Sequence, residues 1–170
     1  GGSLRVECNP SLNNLDGLNN VRSISDSVFI RSNPSLNSLQ GFSRLSHING
    51  DVELESNRSL NALNGLEGLG RVGGHVYIES SALSGLMPLS KLSRIGGDFT
   101  LKGNSCLDNL DGLNQLEHIE GSFRLISNNR ITDISSLDKL SSIGGEVEIL
   151  DNPKLSDESA DSLKASIGIF

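Results

Sequence analysis

A repeat of about 24 residues runs along this chain, and it leaves few folds open. Aligned on Gly, Asn and Leu, the 170 residues divide into seven units, starting at Gly1, Ser25, Asn49, Gly73, Gly96, Glu120 and Gly144. The fourth unit is one residue short of 24, and the seventh runs into the C-terminus. A unit this small cannot bury an apolar face alone. Stacked units can, by lining up equivalent residues as ladders. At the usual strand spacing of ~4.8 Å, seven coils make a rod roughly 30 Å long.

Two periods share each unit. The fourth and sixth positions are apolar throughout, from Leu4 and Val6 to Val147 and Ile149, with variable residues between them. That alternation is strand-like. From the twelfth position apolar residues recur every three, as in Leu107, Leu110, Leu113, Leu116 and Ile119. Spacing three suits an extended or 3₁₀-like wrap that turns one residue in three inward. Gly holds the second position in six of seven units, Asp26 being the exception. It marks a corner that needs φ > 0 or a close approach. Asn holds the ninth position in six of seven: Asn9, Asn33, Asn57, Asn104, Asn128 and Asn152. An inward amide there can bond both its own turn and a neighbouring coil, satisfying backbone groups at a tight corner. Asn57-Arg58-Ser59 is also a glycosylation sequon, but its Asn belongs to the ladder, so a buried, unmodified side chain is expected.

Composition fits this reading. The chain has no Trp, 4% aromatic residues and 19 Gly, as a core of aliphatic ladders with Gly corners requires. The net charge of −7 argues against nucleic acid, whose phosphates call for clustered Lys and Arg, and against an anionic membrane surface. No apolar run approaches the ~20 residues of a membrane span.

The stretches Leu60-Asn61-Ala62-Leu63-Asn64-Gly65-Leu66 and Leu92-Ser93-Arg94-Ile95-Gly96-Gly97-Asp98-Phe99-Thr100-Leu101 resemble the receptor L-domain family. That family includes ligand-binding domains of insulin- and EGF-type receptors, fungal cell-wall proteins and microbial surface repeat proteins. Ile131-Thr132-Asp133-Ile134-Ser135-Ser136-Leu137 is similar to internalin-type leucine-rich repeats, although Asn128 lies one residue further from Ile131 than that pattern has it. The resemblance implies a β-rich solenoid, a right-handed parallel β-helix of seven coils over residues 1–155. It also implies an extracellular or cell-surface setting.

The pattern breaks after Leu155. Residues 156–170 read as a C-terminal helical cap of the same domain. Ser156 or Asp157 is its N-cap, acids fill the first turn, and Lys164 sits in the last. Ala160, Leu163 and Ile167 are expected to face the last coil. No matching cap precedes Leu4, so the N-terminal edge is left to a neighbouring repeat upstream, another chain or solvent alone. Cys8 and Cys106 lie four rungs apart, ~19 Å, too far for a disulfide. Cys8 is expected to be a small buried filler.

Chemistry is sought at positions three, five and seven, which flank the inward residues and point outward. The middle of that face carries Asp51, Glu53, Glu55, Glu79 and Asp98, with His75 and Tyr77 beside them and Phe29 and Arg31 towards the N-terminal side. Exposed aromatics among charges suit a recognition surface, here for a protein or glycan ligand, with a basic partner matched to the acidic stripe. Hard carboxylate oxygens suit Ca²⁺, but a flat sheet face is a poor cage, so no metal or other cofactor is expected. No catalytic constellation is expected either, because the acids form a stripe without an evident cleft. His47 and His118 share the twenty-third position with Arg71 and Arg94, in a column expected to be exposed and basic. The sequence thus favours a non-catalytic recognition module. The alternatives are a spacer or assembly segment of a larger surface fibre and, last, a polysaccharide-active enzyme.

Overall fold

A computed structural model describes residues 2–79 and 82–168. Ser81, the ninth-position residue of the fourth unit, and the last two residues of the expected cap lie outside the described residues.

The chain winds as a parallel β-solenoid. Each coil opens with a four-residue strand: β1 Leu4–Glu7, β3 Val28–Arg31, β5 Val52–Glu55, β7 Val76–Glu79, β9 Phe99–Lys102, β11 Phe123–Ile126 and β13 Val147–Leu150. These seven pair in that order as one parallel sheet, in register by repeat position. A second parallel sheet was not foreseen in the sequence. It joins six two-residue strands at the end of successive coils: β2 Ser23–Ile24, β4 His47–Ile48, β6 Arg71–Val72, β8 Arg94–Ile95, β10 His118–Ile119 and β12 Ser142–Ile143. Two residues leave almost no alternation to read, so this narrow sheet has no signature of its own.

The spacing of three has a direct cause. In the wrap, the N–H of one inward Leu donates to the carbonyl of the inward Leu three residues before. Leu66 bonds Leu63 at 3.0 Å, Leu69 bonds Leu66 at 3.0 Å, and Leu116 bonds Leu113 at 2.9 Å. The hydrophobic comb is therefore also the hydrogen-bond comb, and in four coils it closes as a short 3₁₀ turn. Inside, Leu, Ile and Val stack in columns from Leu15 to Leu140, and Phe99 and Phe123 pack with ring centroids 5.7 Å apart. Each fully buried Leu contributes about 1.5–3 kcal/mol relative to exposure, which is why a chain so poor in aromatics can hold a core.

One corner takes the second of the two forms expected of it, and another was not foreseen. The second-position glycines do not have positive φ. They answer a close approach instead: a Cβ on Gly74 would strike Asp51 Oδ1 of the coil below, and one on Gly50 would strike Ser27 Oγ. Positive φ occurs at the eighth position, at Cys8, Ser32, Ser56, Gly103, Ser127 and Asp151, where the chain leaves β1, β3, β5, β9, β11 and β13. Cys8 is consequently exposed on an outer corner and is not a buried filler; both cysteines are free thiols.

The helix α1, Asp157–Ser166, forms as expected. Ser156 Oγ accepts the Ser159 N–H at 3.2 Å, Asp157 and Glu158 lie in the first turn, and Lys164 in the last. Leu163 is buried against the core, with Ala160 and Ile167 partly covered. The cap does not reach the end of the wide sheet, where Leu150 stays 49% exposed. No helix among the described residues is long and apolar enough to cross a membrane.

Candidate functional site

The Asn column sets the rigid frame behind the face. Asn33, Asn57, Asn104 and Asn128 are fully buried. Asn57 Nδ2 donates to the Ile30 carbonyl of the coil below at 2.8 Å, and its Oδ1 accepts the Asn33 N–H at 3.1 Å. Asn128 Nδ2 donates to the carbonyls of Leu101 and Ile126, and Asn33 and Asn152 likewise bond both their own turn and the coil below. At the ends, Asn9 is exposed and Asn152 half-buried.

On the face itself the third position forms a second ladder, which the sequence reading missed. Each side chain accepts the backbone N–H of the third residue in the next coil. Ser27 Oγ accepts from Asp51 at 3.0 Å, Asp51 Oδ1 from His75 at 2.8 Å, His75 Nδ1 from Asp98 at 2.8 Å, Asp98 Oδ1 from Ser122 at 2.8 Å, and Ser122 Oγ from Glu146 at 3.1 Å. This places the His75 proton on Nε2, because an amide N–H occupies Nδ1. It also explains the glycines, since each acceptor lies where a second-position Cβ would be. The coil with Asp26 at that position follows Ser3, which makes no such bond among the described residues. Asp51, His75 and Asp98 therefore each spend one acceptor on the scaffold. Ser27, Thr100 and Ser122 are buried although they belong to outward positions.

The fifth and seventh positions carry most of the free chemistry. Arg31 binds Glu53 through two nitrogens, the Nε–Oε1 distance being 2.6 Å, and reaches Glu7 at 3.1 Å. Its guanidinium also covers one side of Phe29 at 4.7 Å, while Arg5 stacks on that ring at 4.3 Å. Phe29 is thus an internal cation–π partner and offers little open ring to a ligand. Across the stripe, Lys102 pairs with Glu79 at 3.0 Å, and Arg124 pairs with Asp98 at 2.7 Å and Glu148 at 3.3 Å. Lys102 and Arg124 were not among the expected site residues. Their signal was visible once the units were aligned, since Lys102 follows Glu79 in the seventh-position column.

Between these clamps lies a shallow depression of about 380 Å³, lined by Asp51, Val52, Glu53, Glu55, His75, Tyr77 and Glu79. Tyr77 sits directly beside Glu53 in register and donates its hydroxyl to Glu79. Burial, then Glu79 and the neighbouring Glu55 and Glu53, push the Tyr77 hydroxyl strongly up. The carboxyls are unequal. Hydrogen bonds from Arg31 hold Glu53 below the usual range. Burial, with Glu53 and Glu79 nearby, raises Glu55 above it. The nearest cation to Glu55 is Arg31 Nε at 3.9 Å, and Asp51 has no ion-pair partner among the described residues. Asp98 is held low by the Ser122 N–H and then by Arg124. The structure therefore brings Asp51, Glu53, Glu55, His75, Tyr77 and Glu79 into one place. Phe29, Arg31 and Asp98 fall on its flanks.

Such a site offers negative charge that the chain does not neutralise, beside an aromatic wall. It suits an ammonium or guanidinium group with an apolar stem. Among the described residues no group of three or more His, Cys, Asp or Glu side chains is placed to hold a metal ion. A larger opening of about 500 Å³ lies under α1, with Asp133, Leu137, Glu158 and Leu163 among its walls. Asp133 is already engaged there, held low by the N–H and then the hydroxyl of Ser135.

No family model, curated protein or solved structure matches the chain.

Proposed function

We propose that the chain is a non-catalytic recognition module of an extracellular or cell-surface protein, and that it takes a basic segment of a partner protein on the wide sheet around Tyr77. The observation that carries this reading is the under-neutralised depression. Glu55 is raised by burial and by two neighbouring carboxylates, and a cation placed over Tyr77 relieves that repulsion. The resemblance of the repeat to receptor L domains points the same way. A glycan remains the other ligand class for this face.

Screening the protein against peptide and glycan arrays tests the proposal. Lys- or Arg-rich peptides are the expected ligands, and Tyr77→Ala should weaken them by about tenfold or more, as loss of an aromatic anchor does at protein interfaces. Phe29→Ala should weaken them less, because that ring is already covered. Ligands that bind equally well to Tyr77→Ala would sink the proposal.

A second reading is a spacer or assembly segment of a larger surface fibre. It is favoured by β1, the outermost strand of the wide sheet among the described residues, whose edge is able to pair with another strand. Face variants would leave that role intact, whereas a proline in β1 would disturb it.

A further inference from the structure

The narrow sheet has a chemistry opposite to that of the wide one. Its outward row reads Ser23, His47, Arg71, Arg94, His118 and Ser142, strictly in register from coil to coil. The four central side chains are all N–H donors, and the row holds no acid. They span three rungs, ~14 Å at the usual strand spacing. His47, Arg71 and Arg94 are exposed and His118 is half-exposed.

Stacking two arginines directly opposite each other costs stability, because like charges on neighbouring strands repel. The chain compensates only part of this. Glu120 takes Arg94 through Nε at 2.9 Å, leaving the two terminal nitrogens outward, and Arg71 has no acidic partner among the described residues. The imidazole Nδ1 atoms face hydroxyls, His47 to Ser46 at 3.1 Å and His118 to Ser142 at 2.8 Å. His47 Nε2 is left for a ligand, whereas His118 Nε2 lies 4.0 Å from Glu117 Oε2. Basic residues at the twentieth and twenty-second positions, Arg22, Arg44, Lys91 and Lys139, extend the same sign around the row. Six of the 14 Lys and Arg residues of a chain with net charge −7 are thus gathered on this flank.

The borders of the row indicate the kind of partner. The columns on either side are small at its centre, with Ser46, Gly70 and Ser93 on one side and Asn49, Gly73 and Gly96 on the other. No aromatic or aliphatic side chain stands in the row or in these columns. Nucleic acid bases would find nothing to stack on, and a folded protein would find no apolar anchor. A line of N–H donors whose borders are small or polar around Arg71, with acids only beside its far end at Glu117 and Glu120, fits an extended polymer with acidic groups along its length. We infer that the narrow sheet docks a linear acidic polysaccharide, bearing carboxylate or sulfate groups, through His47, Arg71, Arg94 and His118. The acidic wide sheet repels such a chain and directs it to this flank. This second site is independent of the depression around Tyr77.

The test uses the full chain and four labelled probes of matched length: a sulfated oligosaccharide of heparin type, an oligogalacturonate, a neutral dextran oligomer and oligo(dT). At least one acidic oligosaccharide should bind well above dextran, and the preferred arm tells sulfate from carboxylate. Its affinity should fall about tenfold or more between 50 and 200 mM NaCl, as contacts between fixed charges do when screened. Arg71→Ser with Arg94→Ser installs the residue that the row itself holds at both ends. It should cost at least about tenfold in affinity, since two charge-assisted contacts are lost. Arg58→Ser with Arg130→Ser removes the same charge elsewhere and should stay within about twofold. If the first double variant does not fold, Arg71→Glu alone, which can pair with Arg94, should abolish binding. The inference is overturned if neither acidic oligosaccharide exceeds dextran or if oligo(dT) binds more tightly than both. It is equally overturned if the row variants bind as the wild type does, or if the control pair loses as much.

Discussion

The two polar ladders do the same job under different conditions. At the ninth position and at the third, a side chain accepts a backbone N–H across one coil. The ninth position is buried at Asn33, Asn57, Asn104 and Asn128, and six of the seven units carry Asn there. The third lies on the outer side of the sheet, solvent-accessible at Asp51, His75 and Asp98 and covered at Ser27 and Ser122, and it accepts Ser, Asp or His without loss of the rung. Burial explains the contrast. A buried corner presents both a carbonyl and an N–H, and only an amide supplies a donor and an acceptor of matching reach. At the surface, water satisfies whatever the side chain does not. The scaffold is therefore strict where it is dry and permissive where it is wet, and the permissive column is where functional charge can be placed.

Truncating a rung in each ladder should separate them most clearly. Asn57→Ala leaves the Asn33 N–H buried without a partner and takes the amide bond from the Ile30 carbonyl, which keeps its place in the β3–β5 ladder, and should cost about 3 kcal/mol in a denaturant melt. Asp51→Ala leaves only the His75 N–H, beside solvent, and should cost about 1 kcal/mol. Equal losses would break the comparison. Next in size, Gly74→Ala drives a Cβ into Asp51 Oδ1 and nearby backbone, and should cost about 1–3 kcal/mol. Gly97→Ala, where the nearest atom is His75 Nδ1 at 2.8 Å, should cost less.

A smaller effect sharpens the electrostatic side. Asp98 titrates below its unfolded value, held by the Ser122 N–H and Arg124. Its contribution is therefore present above the unfolded value of about 3.9 and lost as pH falls through the lower folded value. Between pH 4 and pH 2 the wild type should lose stability that Asp98→Asn does not. At pH 7 that variant keeps the Ser122 bond and gives up the Arg124 ion pair, costing about 0.5 kcal/mol. Thermal melts of both proteins across that range check the sign.

Much of the fold was legible because the repeat fixes which residues share a column. The strand positions and the inward Leu comb follow from it, and the helix after Ser156 was legible from its own capping residues where the repeat breaks. The narrow sheet was not legible, since two residues carry no period. Nor was the eighth-position corner, where Ser takes positive φ without Gly to announce it. That is why Cys8 was misplaced. For the candidate site, the column pattern located Tyr77 and its carboxylates but could not tell which charges were spent. Phe29 stood out as an aromatic, and only the stacked guanidiniums of Arg5 and Arg31 show that its ring is covered.

The acidic face around Tyr77 is tested most directly by following the Glu55 carboxyl by NMR as pH is varied, with and without a Lys-rich peptide. Alone, Glu55 should titrate above an ordinary glutamate, because burial and its neighbours disfavour its charge. With the peptide bound, its midpoint should fall and a proton should be released at mildly acidic pH. An unchanged midpoint in the presence of a bound peptide would contradict a cation seated over Tyr77.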